Sequence, residues 1–345
     1  MTLPRRTTRT GLELSILGFG GVPLGGLYTQ VSDADARATV AAALAAGVNF
    51  IDTAPLYGHG LSEHRIGEAL RATPRDAFIL STKVGRLLRP VAKQQGASEL
   101  FAAPLPFDYV YDYSTAGARR SLEDSLQRLG MARIDMLLIH DVVPRWHGER
   151  FEERYREAMA GAYPELARLR EDGLVRAIGV GVKDANVCAR FARDGDFDCI
   201  MIAGQHTLLN HEAIDEFLPL AAEKRIAVLM AAPFNSGVLA TGAAEGAAYY
   251  YQPAPPDILA RVRRIEAVCA AHGVPLAAAA LQYPLGHPAV ASVVAGARTA
   301  QEIEENARLA TMPIPPALWA DLKQEKLLPA HAPTPTTFQQ DALRR

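Results

Sequence analysis

Short apolar runs rich in Val, Ile and Leu alternate along this chain with longer segments of helical period. Such alternation is typical of a parallel sheet whose strands are connected by helices. The runs predict eight strands, at residues 17–20, 48–52, 78–83, 134–140, 175–180, 198–202, 226–231 and 291–295.

Helical periodicity fills the intervals between these strands. Ser32 and Asp33 are a typical helix start, and Gly47, Gly173 and Gly273 lie where helices are expected to end. The predicted helices are 33–46, 62–71, 114–129, 160–172, 184–193, 211–224, 257–285 with a break near Pro275, and 299–310.

Eight strand–helix units favour a closed (β/α)8 TIM barrel, with an open doubly wound sheet as the alternative. No linker rich in Pro, Gly or Ser divides the chain, so we expect one domain over residues 1–345, with a core at about 16–312 and a tail at 313–345. Residues 1–15 predict a hairpin that plugs one end of the barrel. The tail predicts a short helix followed by a partly disordered Pro/Thr stretch.

Three connections are longer than a barrel requires, at 84–112, 141–159 and 232–256. Each follows a strand, and the loops that follow the strands of a barrel lie at its C-terminal face, where active sites are built. We therefore expect the functional site at this face.

Composition narrows the classes of partner. The 345 residues are 49% hydrophobic, which suits a large buried core, and 36 basic against 38 acidic residues give a net charge of -2. This balance argues against nucleic acid and anionic membranes as partners. Three widely spaced cysteines, without a CxxC pair, and the lack of a signal-like or membrane-spanning apolar stretch predict a soluble cytoplasmic protein.

Polar residues end three neighbouring apolar strands. Asp52 follows VNFI, Lys83 follows FILST and His140 follows IDMLLI, while Tyr57 lies just beyond the first of these strands. Because a barrel brings strand ends together, we expect these four side chains to face one pocket, with Asp52 and Lys83 neutralising each other.

Together these groups form a proton-transfer site. We expect the Lys83 ammonium to stabilise the phenolate of Tyr57 and so to lower the pKa of that phenol from about 10. Tyr57 can then exchange a proton with a carbonyl or alcohol oxygen, which His140 orients by a hydrogen bond. None of these groups accepts a hydride, so the chemistry requires a redox cofactor.

Four segments resemble the signatures of the aldo-keto reductases: GVNFIDTAPLYGHGLSEHRIGEAL, STKVG, SLEDSLQRLGMARIDMLLIHD and GARTAQEIEENARLA. The resemblance runs from about Leu17 to Leu309. It implies a barrel, a nicotinamide cofactor and a catalytic tetrad of Asp52, Tyr57, Lys83 and His140. Within the family, LPFDYVYDYSTAGARRSLEDSLQRLG and APFNSGVL resemble bacterial aldose 1-dehydrogenases, of the L-fucose type, and pyridoxal 4-dehydrogenases. The resemblance thus implies a small sugar lactol or aldehyde as substrate.

The sequence departs from the family pattern where the nicotinamide is held. Gly181 and Val182 replace the usual Ser-Asn, and Ala203 replaces a Gln, whose role Gln205 can take over. Ala231 stands where a stacking tyrosine is frequent. How the nicotinamide amide is held is therefore left open.

The remaining cofactor contacts are expected on two loops and at the barrel mouth. Backbone groups after the seventh strand can cradle the pyrophosphate, because small residues let amides approach an anion. Arg298 can meet a 2'-phosphate, but a pair with Glu302 four residues later would repel that phosphate, which favours NAD over NADP and leaves NADP open. The full set of expected cofactor residues is Gly20, Gly21, Asp52, Gln205, Phe234, Asn235, Ser236, Gly237, Leu239, Gly296, Arg298, Glu302, Glu305 and Asn306.

Other interpretations of the sequence concern a dinucleotide-binding motif, a metal site and other functional classes. LGFGGVPLGG lacks the third glycine of a dinucleotide-binding fingerprint, and no His or Cys spacing matches a metal site. His59 and Trp146 are candidates for substrate contact. A nicotinamide-sensing regulatory subunit and a metal-dependent barrel hydrolase are the alternatives of another class, and the oligomeric state cannot be read from one chain.

Overall fold

The computed structural model describes residues 3–91 and 100–335 of the chain. Its strands, in chain order, are β1 (Arg5–Thr7), β2 (Glu13–Ser15), β3 (Leu17–Gly20), β4 (Phe50–Asp52), β5 (Ile79–Val84), β6 (Arg86–Pro90), β7 (Phe107–Tyr111), β8 (Met136–His140), β9 (Ala177–Val182), β10 (Cys199–Ala203), β11 (Ala227–Ala231), β12 (Ala248–Tyr249), β13 (Gln252–Pro253) and β14 (Val290–Gly296).

Eight of these strands close into a barrel in the order β3, β4, β5, β8, β9, β10, β11, β14, and β14 pairs again with β3. Every neighbouring pair in the ring is parallel. The predicted (β/α)8 barrel is therefore confirmed, and the open doubly wound sheet is wrong. Each predicted strand corresponds to one strand of the ring.

Helices connect these strands on the outside of the barrel. In chain order they are α1 (Asp33–Ala45), α2 (Leu61–Leu70), α3 (Thr115–Leu129), α4 (Pro144–His147), α5 (Phe151–Glu157), α6 (Tyr163–Glu171), α7 (Ala185–Asp194), α8 (Phe217–Glu223), α9 (Val238–Thr241), α10 (Pro256–Ala271), α11 (Leu276–Gln282), α12 (Ala300–Ala310) and α13 (Pro316–Gln324).

Two helix predictions show what local sequence can and cannot determine. The helix expected over 211–224 begins only at Phe217, because the chain turns at His211, whose carbonyl accepts from the Ile214 amide at 3.1 Å. The break expected near Pro275 is present between α10 and α11. There Gly273 adopts a φ of 66°, which ends the first helix, and Pro275 caps the second.

The N-terminal hairpin of β1 and β2 closes the end of the barrel opposite the predicted site. Its two strands are antiparallel, and Leu12 and Leu14 are fully buried. Both leucines pack into the apolar cluster inside the barrel, against Phe50, Met136 and Leu229 among others. The predicted plug is thus observed over residues 3–15, while Met1 and Thr2 lie outside the described residues.

The three long connections contain secondary structure that periodicity did not predict. β6 and β7 form a hairpin in the first, α4 and α5 lie in the second, and α9 with the β12–β13 hairpin lies in the third. These elements are short, so they carry too few residues to establish a period. Residues 92–99 of the first connection lie outside the described residues.

After the barrel, the chain continues through α13, which is the short helix predicted for the tail. The expected Pro/Thr stretch is described only to residue 335, and 336–345 lie outside the described residues. Within the described residues, no single helix is long and apolar enough to cross a membrane. A bent pair, Pro256–Ala271 with Leu276–Gly286, meets the length and composition criteria only when the two helices are taken together across a 98° bend.

Candidate active site

A cavity of about 780 Å³ opens at the C-terminal ends of the barrel strands. Every strand of the ring contributes a residue at or next to its last position. The three long connections and the segments that follow β3, β4 and β14 supply much of the remaining wall. The strand-end residues are Gly20, Asp52, Lys83, His140, Gly181, Ala203, Ala231 and Gly296. The predicted position of the site, at the face where the strand-to-helix loops meet, agrees with this cavity.

Asp52 and Lys83 form a buried ion pair at the base of the cavity. The Lys83 Nζ donates to both carboxylate oxygens of Asp52, at 2.8 and 2.7 Å, and to the Thr53 carbonyl at 2.9 Å. Ser81 donates to the same carboxylate at 2.6 Å. Burial raises the pKa of Asp52, and Lys83 opposes that shift. The structure thus shows the pairing expected from the sequence.

Tyr57 lies beside this pair, but its ionisation differs from expectation. The Lys83 Nζ is 4.9 Å from the centre of the Tyr57 ring. Burial raises the pKa of Tyr57 well above its usual range, and the charges of Asp52 and Asp141 raise it further. The expected lowering by Lys83 is wrong for this structure, because the ammonium is already balanced by the Asp52 carboxylate. Tyr57 is therefore a neutral phenol that can donate a proton.

His140 packs edge-on against Tyr57, with 5.9 Å between the ring centres. Burial, and then the charges of Arg86 and Lys83, hold the pKa of His140 well below its usual range. The ring is therefore neutral and carries one N–H. Its Nδ1 is buried and has no hydrogen-bond partner among the described residues. His140 and Tyr57 both line the cavity, so the imidazole and the phenol can both be offered to a ligand oxygen.

Arg86 and Asp141 form a second ion pair, in which Arg86 is buried and Asp141 is partly exposed, and neither was predicted from the sequence. Arg86 Nη2 donates to Asp141 Oδ2 at 3.0 Å, and the same carboxylate oxygen lies 3.5 Å from His140 Nε2. The Arg86 side chain is 1% exposed. Hydrophobic periodicity does not distinguish Arg86 from other arginines. The sequence does place Arg86 three residues after Lys83 and Asp141 directly after His140, which could have indicated that both lie near the site.

The loop after β11 lines the cavity with residues expected to bind the cofactor. Phe234, Asn235, Ser236 and Gly237 all contribute to the wall. The last three have positive φ angles, of 45°, 65° and 107°. The Asn235 Oδ1 is buried without a hydrogen-bond partner among the described residues. An unpaired amide oxygen and a loop of irregular backbone fit a polar, extended ligand such as a nicotinamide dinucleotide.

The segment after β14 provides the other expected contacts. Arg298 Nη2 lies 3.1 Å from Glu302 Oε1, and the Arg298 backbone amide donates to Glu302 Oε2 at 2.8 Å. The predicted pair four residues apart is thus present. Asn306 is 8% exposed and Glu305 is bound to Arg308 at 2.7 Å. All four predicted residues of this segment, Arg298, Glu302, Glu305 and Asn306, line the cavity.

Four predicted site residues are not among the lining residues of the cavity: Gly21, Gln205, Leu239 and His59. Gly21 has a structural reason to be glycine, since a Cβ there would lie 2.9 Å from the Asp52 carbonyl. Gln205 donates to the Tyr250 hydroxyl at 3.0 Å and Leu239 is fully buried. His59 binds the Phe107 carbonyl and so holds the first long connection. Trp146, by contrast, lines the cavity.

The positions that depart from the family pattern also line the cavity: Gly181, Val182, Ala203 and Ala231. A Cβ at position 181 would lie 3.3 Å from Lys83 Cε, so glycine leaves room for the lysine chain. Small side chains at these positions widen the cavity next to the ion pair. Lys183, which directly follows Val182, also lines the cavity and was not predicted as a site residue.

A second cavity, of about 670 Å³, lies at the hairpin end of the barrel and contains none of the predicted site residues. Among its lining residues, Arg9 contacts Asp196 and Asp198 at 2.7 and 2.9 Å, and Arg170 contacts Asp198 at 2.8 Å. Because Asp52, Tyr57, Lys83 and His140 all line the cavity among the strand ends and none of them lines this one, the cavity among the strand ends is the candidate active site.

Comparison with known proteins gives relatives of similar length. The chain is 38% identical over 337 residues to a pyridoxal 4-dehydrogenase from Microbacterium luteolum, which covers 94% of this chain and 97% of that protein. It is 40% identical over 324 residues to a D-threo-aldose 1-dehydrogenase from a Pseudomonas species, covering 92% of this chain and 96% of that one.

The fold is shared with an aldo-keto reductase from Bacillus halodurans solved in its holo form. The TM-score is 0.74 at 24% identity, over 98% of this chain and 99% of that one. The model of the Aldo/keto reductase family matches residues 16–325. The chain belongs to this family and is an NAD(P)-dependent oxidoreductase that acts on a small molecule.

Proposed function

We propose that the protein oxidises the C1 lactol of an aldose to the lactone, with NAD as the preferred cofactor. The observation that carries the proposal is the convergence, in one cavity, of a neutral phenol, a neutral imidazole and a buried ion pair. The relative named D-threo-aldose 1-dehydrogenase, at 40% identity, supports this choice of substrate.

The proposed roles follow from the charge states. The hydrogen on C1 leaves with its electron pair, and the bound nicotinamide supplies the acceptor for that hydride. The hydroxyl proton of the lactol passes to the Tyr57 oxygen, which must be a phenolate at that moment. His140, neutral and with one N–H, orients the lactol oxygen. Asp52 and Lys83 keep a fixed dipole next to the phenol rather than acting as free charges.

The same groups serve the reverse reaction directly. In the reduction of an aldehyde, Tyr57 starts as a neutral phenol and donates its proton to the carbonyl oxygen as hydride arrives at the carbon. Since burial raises the pKa of Tyr57, the protein without ligand is prepared for proton donation. Oxidation requires loss of the phenol proton first, so it gains from higher pH.

The preference for NAD rests on the pair between Arg298 and Glu302. A guanidinium that already binds a carboxylate at 3.1 Å is less available to a 2'-phosphate, and the carboxylate repels that phosphate. A ribose 2'-hydroxyl, in contrast, can donate a hydrogen bond to Glu302.

Pyridoxal is the second candidate substrate. The relative named pyridoxal 4-dehydrogenase is 38% identical to this chain. Trp146, Tyr28 and Tyr251 line the cavity, and these aromatic side chains suit a planar ring.

One assay tests the proposal. Purified protein is mixed with NAD or NADP and with L-fucose, D-arabinose, L-galactose or pyridoxal, and formation of reduced nicotinamide is followed by absorbance. We expect turnover with at least one sugar and higher kcat/KM with NAD. Turnover with pyridoxal alone would replace the aldose by pyridoxal. Silence with all four and with simple aldehydes in the reverse direction would contradict the proposal and favour a nicotinamide-sensing regulatory role.

A further inference from the structure

Four lysine and arginine side chains line the cavity, and they differ in how their charges are balanced. Lys83 is paired with Asp52 and Arg298 is paired with Glu302. Lys183 and Arg145 form no ion pair with a carboxylate anywhere in residues 3–91 and 100–335. The cavity therefore contains two cationic groups whose charge is free to meet a ligand.

Lys183 is held in a defined position. It directly follows the last residue of β9, and its Nζ lies 4.1 Å from the ring centre of Tyr250 and 4.3 Å from that of Tyr251. Cation–π contacts of this kind fix an ammonium group without neutralising its charge. Lys183 is thus presented to the cavity by two aromatic faces.

The two tyrosines are themselves constrained. They form the turn between β12 and β13, and both have positive φ angles, of 49° and 66°. Two successive residues other than glycine in this conformation cost energy, so the turn needs compensating contacts. Tyr250 obtains one by donating to the Gly204 carbonyl at 2.8 Å, and the Tyr251 amide obtains another from Ser236 Oγ at 3.0 Å.

Arg145 approaches the same region from α4. Both residues line the cavity, and the charge of Arg145 adds to burial in lowering the pKa of Lys183. Asp141 opposes that shift, but its carboxylate is already bound by Arg86 at 3.0 Å. The local balance at this wall of the cavity is therefore positive.

We propose that Lys183 and Arg145 form a subsite for an anionic group, a carboxylate or a phosphate, carried by the substrate. The proposal rests on the proposed function and narrows its substrate class to aldoses or aldehydes that bear an acid group away from the reacting carbon, such as a uronic acid. An acid group in this position would bind the ammonium and turn the reacting carbon toward Tyr57.

The charge state of Lys183 makes the subsite sensitive to pH. Burial, and then Arg145, lower the pKa of Lys183 to about 7, against the opposing effect of Asp141. Tyr250 and Tyr251 are neutral at pH 7, since burial raises the pKa of both phenols. The ammonium form binds an anion and the amine does not, so anion affinity must fall as the pH rises above 7.

The test compares sodium benzoate with benzamide, which have the same ring and nearly the same size but differ in charge. Binding of each to the full-length protein saturated with NAD is measured by calorimetry at pH 6 and pH 9. We expect benzoate to bind at least about tenfold more tightly than benzamide at pH 6, the effect of one charge-assisted contact. At pH 9 that preference should be about tenfold smaller, because Lys183 has lost its proton and Arg145 alone remains charged.

Two variants locate the effect. Lys183→Met keeps the length of the side chain and leaves Arg145 as the one cation of the subsite. It should lower the preference for benzoate at pH 6 to the level that the natural sequence shows at pH 9. Lys183→Arg keeps a charge that does not titrate, so it should retain the preference at pH 9 as well. Thermal unfolding of both variants checks that the barrel and the β12–β13 turn are intact. Should Lys183→Met be less stable, Lys183→Arg still tests the proposal, because arginine can keep the cation–π contacts.

Equal affinity for benzoate and benzamide in the natural sequence would overturn the proposal, as would benzoate binding that is unchanged in Lys183→Met. Because binding is measured without turnover, failure of sugar oxidation leaves this test valid. If oxidation is observed, Lys183→Met should raise the KM for D-galacturonate and leave the KM for D-galactose nearly unchanged. A loss confined to kcat would contradict a binding role.

Discussion

Arg86 Nη2 lies 3.0 Å from Asp141 Oδ2, and this ion pair stands against the catalytic face of the barrel beside His140. Arg86 lowers the pKa of both His140 and Tyr57, whereas Asp141 raises that of Tyr57. The pair therefore influences the protonation of two proposed reacting groups. Arg86 Nε and Nη1 have no hydrogen-bond partner among the described residues, so Asp141 is the main compensation for a buried charge.

Replacing Arg86 by Met should destabilise the protein by about 1–3 kcal/mol, because Asp141, whose side chain is 15% exposed, is left without its partner. Urea unfolding followed by circular dichroism measures this change. The double variant Arg86→Met/Asp141→Asn removes both charges and should recover part of the loss. A double variant no more stable than the single one would mean that Arg86 acts through packing and not through the ion pair.

Tyr57→Phe should abolish turnover and leave cofactor affinity nearly unchanged, because the substitution removes only the group proposed to transfer the proton. Stopped assays give turnover, and quenching of protein fluorescence gives cofactor affinity. Tyr163→Phe is a suitable control, since the Tyr163 hydroxyl accepts from the Asp196 amide at 2.9 Å, away from the cavity. Measurable turnover by Tyr57→Phe would refute the assigned role.

The two reaction directions should differ in pH dependence. The pKa of Tyr57 lies well above 10, so the phenol is protonated throughout the accessible range. Aldehyde reduction, which uses the phenol, should be insensitive to pH between about 6 and 9, whereas oxidation should accelerate by up to about tenfold per pH unit. Initial rates in both directions check this. An oxidation rate that declines with rising pH would exclude Tyr57 as the proton acceptor.

Glu302→Lys should shift cofactor preference toward NADP by about tenfold or more in kcat/KM, since it removes a repulsive carboxylate and frees Arg298 for a phosphate. Glu304→Lys makes the same charge change at an exposed position of the same helix that does not line the cavity, so it serves as the control. Equal shifts in both variants would indicate a general effect of charge on the protein.

His206 should make the fold sensitive to acid. It is fully buried, and both ring nitrogens lack hydrogen-bond partners among the described residues. Burial, and then His287 and His211, lower the pKa of His206 to about 3. Below pH 6.5 this histidine therefore binds a proton in the unfolded chain but stays neutral in the folded protein. The free energy of unfolding falls as the pH drops below 6.5, and at pH 5 the loss from this group is about 2 kcal/mol.

His206→Phe tests this account, because phenylalanine can keep the packing against Tyr283, whose ring centre is 4.8 Å away. We expect the variant to be at least as stable as the natural sequence at pH 8 and to lose about 2 kcal/mol less on going to pH 5. Urea midpoints at the two pH values provide the measurement. An identical loss in both proteins would assign the acid sensitivity to other groups.

The barrel was predictable because its strands are nearly continuous apolar runs and its helices have a clear period. The eight strands from Leu17 to Gly296 follow from that alternation alone. Local pattern fails where tertiary contacts decide, as at the late start of α8 and in the aromatic hairpin of β6 and β7. Such elements are too short for periodicity, and their stability comes from packing against the barrel.

The site shows the same division. The spacing of Asp52, Lys83 and His140 at strand ends was sufficient to predict that they share a cavity. The ionisation of Tyr57 could not be predicted, because it depends on burial and on how strongly Lys83 is held by Asp52. Lys183 and Arg86 were not predicted for a related reason. Whether a carboxylate lies within ion-pair distance of each cation depends on the folded structure and cannot be obtained from sequence spacing.

The β1–β2 hairpin closes one of the two ends of the barrel to reactants. Leu12 and Leu14 fill the barrel interior at that end, so the cavity among the strand ends does not run through the barrel. The hairpin, far from the proposed reacting groups, thereby leaves the C-terminal face as the side of the barrel from which cofactor and substrate reach them.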